Sequence, residues 1–433
     1  MRNFTFKGLF LTAVFMLLGC LSIQAADADL ITRQITIKLD KAGTLPDRIG
    51  SSKKYKITNL KIFGEINGTD WKMIREMAGG SDYYGGSTKG NLSVLDLSEA
   101  KIVEGGDYYY YDDGSHYYDH GDIYYHGKCY TVNDKIGGFA FYNCSRLTSL
   151  NLPASITAIG DFAFYNCSRL TSLNLPVSIT EIGKDAFWNC SGLTSLNLPA
   201  GITEIGESTF NECSGLTSLT LPAGITSIGS GAFYNCSGLT SLTLPAGITS
   251  IGSGAFMFCS RLTSLNLPAS ITEIGNNVFW GCSGLTSLTL PAGITSIGDA
   301  EFWNCSGLTS LTLPASITEL GYDVFFGCSG LASIYVYAEK VPKMANNVFT
   351  GCDAKKCILY VPKGTYDDYW LSDFGYFENI VEFDATGIDK TTTSTDVEEV
   401  SRYSLNGQRL AVPVKGLNIV KYSDGTVRKV VVK

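Results

Sequence analysis

The chain has 433 residues, 45% hydrophobic and only 17% charged, which supplies a long core and leaves a surface of mostly neutral polar residues. Its formal net charge of −8 at pH 7, with no run of Lys or Arg, lacks the basic footprint that nucleic-acid binding needs.

Arg2 and Lys7 precede a short apolar stretch, Gly8 to Leu18, so residues 1–25 read as an export signal. Ile23-Gln24-Ala25-Ala26 suits a general signal peptidase. Leu17-Leu18-Gly19-Cys20 resembles a lipoprotein box and would leave Cys20 as a lipid anchor. No later stretch approaches transmembrane length. Residues 30–104 read as an N-terminal cap with a first irregular coil. Asn59 to Gly68 is a strand and turn, Thr69 to Ala78 a helix with Thr69 or Asp70 as N-cap, and Asn91 to Ser98 an early L-x-x-L-x-L coil.

Residues 105–128 form an insertion holding all three histidines, His116, His120 and His126, with eight Tyr between Tyr108 and Tyr125. Three readings stay open: a metal site, a contact loop using His116, Tyr117, Tyr118 and His120, or a plain insertion. Asp112-Asp113-Gly114-Ser115 lacks the alternating oxygens of an EF-hand.

Residues 129–330 repeat. Cys144, Cys167, Cys190, Cys213, Cys236, Cys259, Cys282, Cys305 and Cys328 fall 23 residues apart. In the unit starting at Cys167, Leu170, Leu173 and Leu175 match an L-x-x-L-x-L core. Leu173 and Leu175 alternate with Ser172 and Asn174 as a half-buried strand, which Pro176 ends. Ile179 and Ile182 form a second inward run, Gly183 permits a turn, and Asp185 to Asn189 reads as a short helical or 3₁₀ turn burying Ala186 and Phe187. One unit cannot bury its own apolar face, so the coils are stable only stacked. About ten coils at ~4.8 Å make a rod on the order of 50 Å long. The periodic thiols point inward, and parallel rungs hold Cβ atoms farther apart than a disulfide allows. Cys352 and Cys357 are out of register and can be drawn as a pair.

Residues 331–383 degenerate. Val348 to Cys352 is a slipped Phe-x-x-Cys, and Leu359 to Gly364 with Tyr366 to Trp370 closes the stack. A polar linker, 384–400, leads to a short β tail, 401–433, in which Asn406-Gly407 is a hairpin signal.

Leu-Pro after the strand, then Ile-Gly and Ala-Phe-x-x-Cys, resembles the BspA-like (treponemal-type) leucine-rich repeat family over about 45–383. The resemblance implies a right-handed solenoid, with a parallel strand ladder on one face and short turns on the other. It also implies a bacterial surface protein, in some members an adhesin. The tail is similar to C-terminal sorting domains recognised by type IX secretion.

Two surfaces could carry a ligand. The front strands expose Ser and Asn or Thr in every coil. The residue after each core Phe varies (Tyr142, Tyr165, Trp188, Asn211, Tyr234, Met257, Trp280, Trp303, Phe326), so packing does not fix it and partial exposure is expected. Trp188, Tyr234, Trp280 and Trp303 are the foremost contact candidates, although packing along the row is an equally simple reason for aromatics there. Asn-Cys-Ser matches a glycosylation pattern at several repeats, but the repeat consensus accounts for it. The repeats hold no His and no unique acid–base constellation, so no catalytic residue, metal or cofactor is expected. The leading expectation is a non-catalytic binder of an extracellular protein or glycan. A structural spacer and a hydrolase using the insertion are the alternatives.

Overall fold

The computed structural model describes residues 29–80, 86–113, 126–385, 399–404, 409–410, 412, 415–422 and 427–432. These divide into a unit ending at Phe383 and a second beginning at Asp384.

The first unit is a solenoid with three ladders. On the front, short strands pair in parallel with their equivalents one repeat away, Ser195 with Ser218, Leu196 with Leu219 and Asn197 with Thr220. Leu196 is buried between exposed Ser195 and Asn197, the period-two pattern of a one-sided sheet. On the second side, Glu204–Ile205 pairs with Ser227–Ile228 and buries the Ile.

The front ladder has 14 rungs among the described residues, more than the ten or so expected. The extra rungs lie where the sequence does not repeat. Strands β1 (Ile35–Leu39), β2 (Asn59–Ile66) and β3 (Val94–Ile102) pair in parallel, and β3 pairs with Ser149–Asn151 of the first regular coil. At the other end Ile358–Pro362 pairs with Asn379–Phe383.

On the third side the expected short turn is present, burying Ala186 and Phe187, but it is not helical. Asp185 (φ 54°) and Asn189 (φ 51°) are both left-handed, a conformation that no right-handed helix accommodates. The segment is instead a chain of turns. Trp188 N–H closes on Asp185 O at 3.1 Å, whereas Phe187 and Asn189 N–H reach Thr209 O and Asn211 O of the next coil at 2.9 and 2.8 Å. The turns therefore form a third inter-coil ladder. Its second left-handed position holds Asn143, Asn166, Asn189, Asn235 and Asn304, then Gly281 and Gly327, the residue types that tolerate positive φ. This is the physical origin of the Asn in Asn-Cys-Ser.

Gly183 has a different reason from the turn first assigned to it. Its φ is not positive, but a Cβ there would lie 2.5 Å from Asp161 N and 2.7 Å from Gly160 C of the preceding coil. Close stacking demands the glycine.

Inside, Phe rings stack from Phe141 through Phe164, Phe187 and onward to Phe349 at 5.1–6.0 Å. Burying each contributes about 1.5–3 kcal/mol. Trp71 faces the first ring at 5.3 Å, and Phe374 and Phe377 face the last at 5.6 and 4.8 Å. Trp71 sits on helix α1 (Gly68–Met77 here), whose N-cap is Asn67 rather than Thr69 or Asp70. Asp70 is the third helical residue and returns a hydrogen bond to Asn67 N–H, so it completes a capping box.

All twelve described cysteines are free thiols, Cys352 and Cys357 included. From Cys167 to Cys328 the thiol donates to the Phe carbonyl one coil back, as Cys190 Sγ to Phe164 O at 3.1 Å. A small apolar group with one weak donor fits this place. Burial pushes the Cys144 thiol up to about 11 and those of Cys213 and Cys259 to about 12, which suppresses thiolate chemistry.

The second unit is a four-stranded antiparallel sheet of Glu399–Tyr403, Arg409–Leu410, Gly416–Tyr422 and Val427–Val432. Buried Arg402 donates to Asn418 Oδ1 at 3.2 Å. The Asn406-Gly407 turn lies outside the described residues, while Tyr403 and Arg409 flanking it pair antiparallel.

Candidate functional site

The variable position after each core Phe emerges on the turn side. Its neighbours are the buried Phe and the left-handed residue, so its side chain leans along the ridge between coils. Tyr165, Trp188, Tyr234, Met257, Trp280, Trp303 and Phe326 are half-buried. Tyr142 and Asn211 are buried, against the expectation of exposure along the whole row. Tyr142 is covered by Tyr110, 5.4 Å away, from the hairpin that β4 (Tyr110–Asp113) forms with β5 (His126–Cys129).

The row is two ribbons. The first runs Tyr142, Tyr165, Trp188 at 4.9 and 5.7 Å. Asn211, whose buried Oδ1 has no hydrogen-bond partner, interrupts it. The second joins Trp280 to Trp303 at 4.9 Å and Trp303 to Phe326 at 4.5 Å, both stacked. Aromatics therefore do pack on one another along the edge while leaving part of each ring accessible.

Phe258 extends the second ribbon and was missed in the sequence. It occupies the left-handed position that Asn usually holds (φ 62°), is 37% exposed, and links Tyr234 at 5.5 Å to Trp280 at 6.4 Å. A Cβ on Gly281, the same position one coil on, would lie 2.5 Å from the Phe258 ring. The ring lies where the next coil's side chain would be. The break in the Phe-x-Asn-Cys pattern at Phe256-Met257-Phe258-Cys259 was the available signal.

The front face is flat and neutral. Beside its Ser and Asn or Thr columns, Thr171 Oγ1 donates to Thr148 O at 3.1 Å, Thr217 to Thr194 O at 3.2 Å, and so on along the stack. These hydroxyls serve inter-coil packing.

His116, Tyr117, Tyr118 and His120 lie outside the described residues. At the root of their hairpin, Lys72 and Lys128 sit over the Tyr108 ring at 5.3 and 4.9 Å. Arg75 of α1 sits over Tyr110 at 4.7 Å and donates to Ala140 O at 3.2 Å, tying the hairpin to the first turn. Among the described residues no group of three or more His, Cys, Asp or Glu could hold a metal ion, and no helix is long and apolar enough to cross a membrane.

Two buried acids stand out in the repeats. Asp185 is raised to about 7 by burial first, then by the carboxylates of Glu207 and Asp161. Glu301 occupies the inward column that holds Ala in most coils. Burial holds it well above the usual carboxylate range, and its Oε1 has no hydrogen-bond partner.

The family described as BspA type leucine rich repeat region matches residues 134–260 and 226–356, six copies in all. Among solved structures, a leucine-rich repeat protein from Bacteroides ovatus is 32% identical over 53% of this chain and 65% of its own, with a TM-score of 0.41. This chain thus spans just under two thirds of that protein. The T. pallidum leucine rich repeat protein is 31% identical over 40% and 77%, with a TM-score of 0.34. A leucine rich cell surface protein from Faecalibacterium prausnitzii is 26% identical over 58% and 84%, with a TM-score of 0.35. None of the curated proteins compared matches. With the family match spanning over half of its length, and the ladders it describes present coil by coil, the chain belongs to the BspA-type leucine-rich repeat family.

Proposed function

We propose that this protein is exported and works at the bacterial surface as a non-catalytic binding module, adhesin-like, for an extracellular protein or glycan. The observation that carries this reading is the second aromatic ribbon, Tyr234, Phe258, Trp280, Trp303 and Phe326. Except for Phe258, which sits in the left-handed column, its members occupy a position that the repeat leaves chemically free, since Asn211 and Met257 fill it elsewhere. Clustered, partly exposed aromatics are the surface feature most associated with partner contact. The export reading rests on the sequence of residues 1–25, with Cys20 as a lipid anchor in one version and the tail as a sorting element in another. His116, Tyr117, Tyr118 and His120 form a second candidate contact.

The test is a binding screen of the mature protein against extracellular-matrix proteins and glycans. Saturable binding that falls at least tenfold in W280A/W303A, with unchanged thermal stability, supports the ribbon. Binding indifferent to that change but lost on deleting 105–128 moves the site to the insertion. No saturable ligand at all favours a spacer.

A further inference from the structure

A groove of about 860 Å³ runs across successive coils beside the second ladder, on a surface separate from the aromatic ribbon. Its floor is the backbone of Gly183, Gly206, Gly229, Gly252 and Gly275. One wall is the residue before each Ile: Glu181, Glu204, Ser227, Ser250, Glu273. The other is Asp161 and the residue after each Gly: Lys184, Glu207, Ser230, Ser253. Five carboxylates thus line it against one ammonium, and Lys184 is already paired with Glu207 at 3.1 Å.

This charge is segregated. The front strands of the regular coils carry no Asp or Glu. Nor does the fold ask for the acids, because the repeat supplies its own control. The column of Glu181 and Glu204 is filled by Ser227, Ser250 and Ser296 on the same Ile-Gly backbone, and Glu204 pairs directly with Ser227. The column of Glu207 is filled by Ser230 and Ser253. Glu181 and Glu204 lie on successive coils at positions where Ser serves the same backbone, so stacking does not explain why acids stand there.

The groove spans roughly 20 Å, the length of about six residues of extended chain. Its middle is lined by hydroxyls able to hydrogen-bond a peptide backbone, and its ends are acidic. We propose that this groove binds an extended, Lys- or Arg-bearing segment of a partner protein, with the cationic side chains at Glu181, Glu204 and Glu207 and the backbone along Ser227, Ser230, Ser250 and Ser253. An acidic polysaccharide is repelled by these carboxylates, and a neutral one can hydrogen-bond them but has no charge to complement theirs.

The probe is a fluorescein-labelled peptide of alternating Lys and Ser, titrated by anisotropy into the full chain. Saturable binding is expected at ~50 mM salt, weakened at least tenfold at ~300 mM as the Debye length shortens. E181S/E204S/E207S, which installs residues the repeat already uses, weakens it at least tenfold with no loss of thermal stability. If that variant folds poorly, E204Q alone gives about a threefold loss. D367N/D368N, acids remote from the groove in sequence and ladder, leaves binding unchanged, as does W280A/W303A. Failure to saturate overturns the proposal. So does equal loss in D367N/D368N, or equally tight binding of a Glu–Ser peptide or a neutral oligosaccharide. None of these outcomes bears on the aromatic ribbon, which is tested with different ligands.

Discussion

Glu301 is the place where a single substitution should stabilise the protein. The side chain is 2% exposed. Its Oε2 accepts Val278 N–H at 3.2 Å, and its Oε1 has no partner. The flanking coils carry Val278 and Val324 in the same column, both buried, so Glu301→Val installs a side chain that this column already packs. Relieving the unpartnered oxygen contributes about 1–3 kcal/mol. Val278 N–H loses its acceptor, but the equivalent Ala255 N–H donates to Gly252 O at 3.2 Å, a geometry open to Val278 with Gly275. Ionisation adds a pH-dependent part. Burial raises the folded-state pKa well above the ordinary 4.5, so the folded state holds the proton after the unfolded chain has lost it. The wild type therefore loses stability as pH rises above the unfolded value, by about 1.4 kcal/mol per pH unit until the folded value is reached. Below the unfolded value both states are protonated and that part vanishes. Thermal midpoints by circular dichroism at pH 4, 5, 6 and 7 test this, at roughly 1–2 °C per kcal/mol for a unit of this size. E301V should exceed wild type by an amount that grows with pH. E301Q should remove the growth but keep most of the pH-independent deficit. An E301V midpoint at or below wild type at pH 7, or a difference that does not change with pH, refutes the reasoning.

The glycines divide by the same logic of what lies one coil back. Gly183→Ala places a Cβ 2.5 Å from Asp161 N and should cost at least ~2 kcal/mol as overpacking; Gly224→Ala, whose Cβ meets nothing nearer than 3.6 Å, should change stability by less than ~0.5 kcal/mol, both read by chemical denaturation. Phe258 and Gly281 should be coupled. Gly281→Asn installs the usual left-handed residue but collides with the Phe258 ring, whereas F258N/G281N restores the pattern in both coils, so a double-mutant cycle on thermal midpoints should return a favourable coupling of about 1–2 kcal/mol, and additivity would show that the ring moves aside freely.

The regular coils were legible because strict periodicity reports side-chain direction: inward Leu, Ile, Phe and Cys recur every 23 residues and are buried. The ends were less so: Asn59–Ile66 was read as a strand, but neither its place in the ladder nor β1 and Asn379–Phe383 were, because these strands join through backbone hydrogen bonds, and a backbone bond asks little of the side chain that carries it. The turn side was misread for a related reason. Asp185-Ala186-Phe187-Trp188-Asn189 has the composition of a short helix, and the stacked neighbour, offering Thr209 O and Asn211 O to alternate N–H groups, holds it instead as a turn with left-handed residues at Asp185 and Asn189. Local propensity yields here to contacts 22 residues away. Asn in five of the nine repeats was the trace of that geometry, and in the sequence it read as repeat consensus that happens to match a glycosylation pattern.

The same repetition separates what the fold requires from what it merely permits. Each column is a substitution series performed within one molecule on one backbone. Cys never varies from Cys144 to Cys328, since the site admits only a small apolar group that can donate to the Phe carbonyl behind it. The second left-handed column varies among Asn, Gly, Glu and Phe, with a cost that the next coil must absorb, as Gly281 does for Phe258. The columns of Trp188 and of Glu181 vary across chemical classes, from Trp to Asn and from Glu to Ser, with no change in backbone. Where stacking is indifferent, the residue found in a given coil must be explained by something outside the stack. Apart from Phe258, the residues proposed above as ligand contacts fall in such free columns, one beside the turn ladder and one beside the second strand ladder, so a substitution in either set should leave the other proposed site intact.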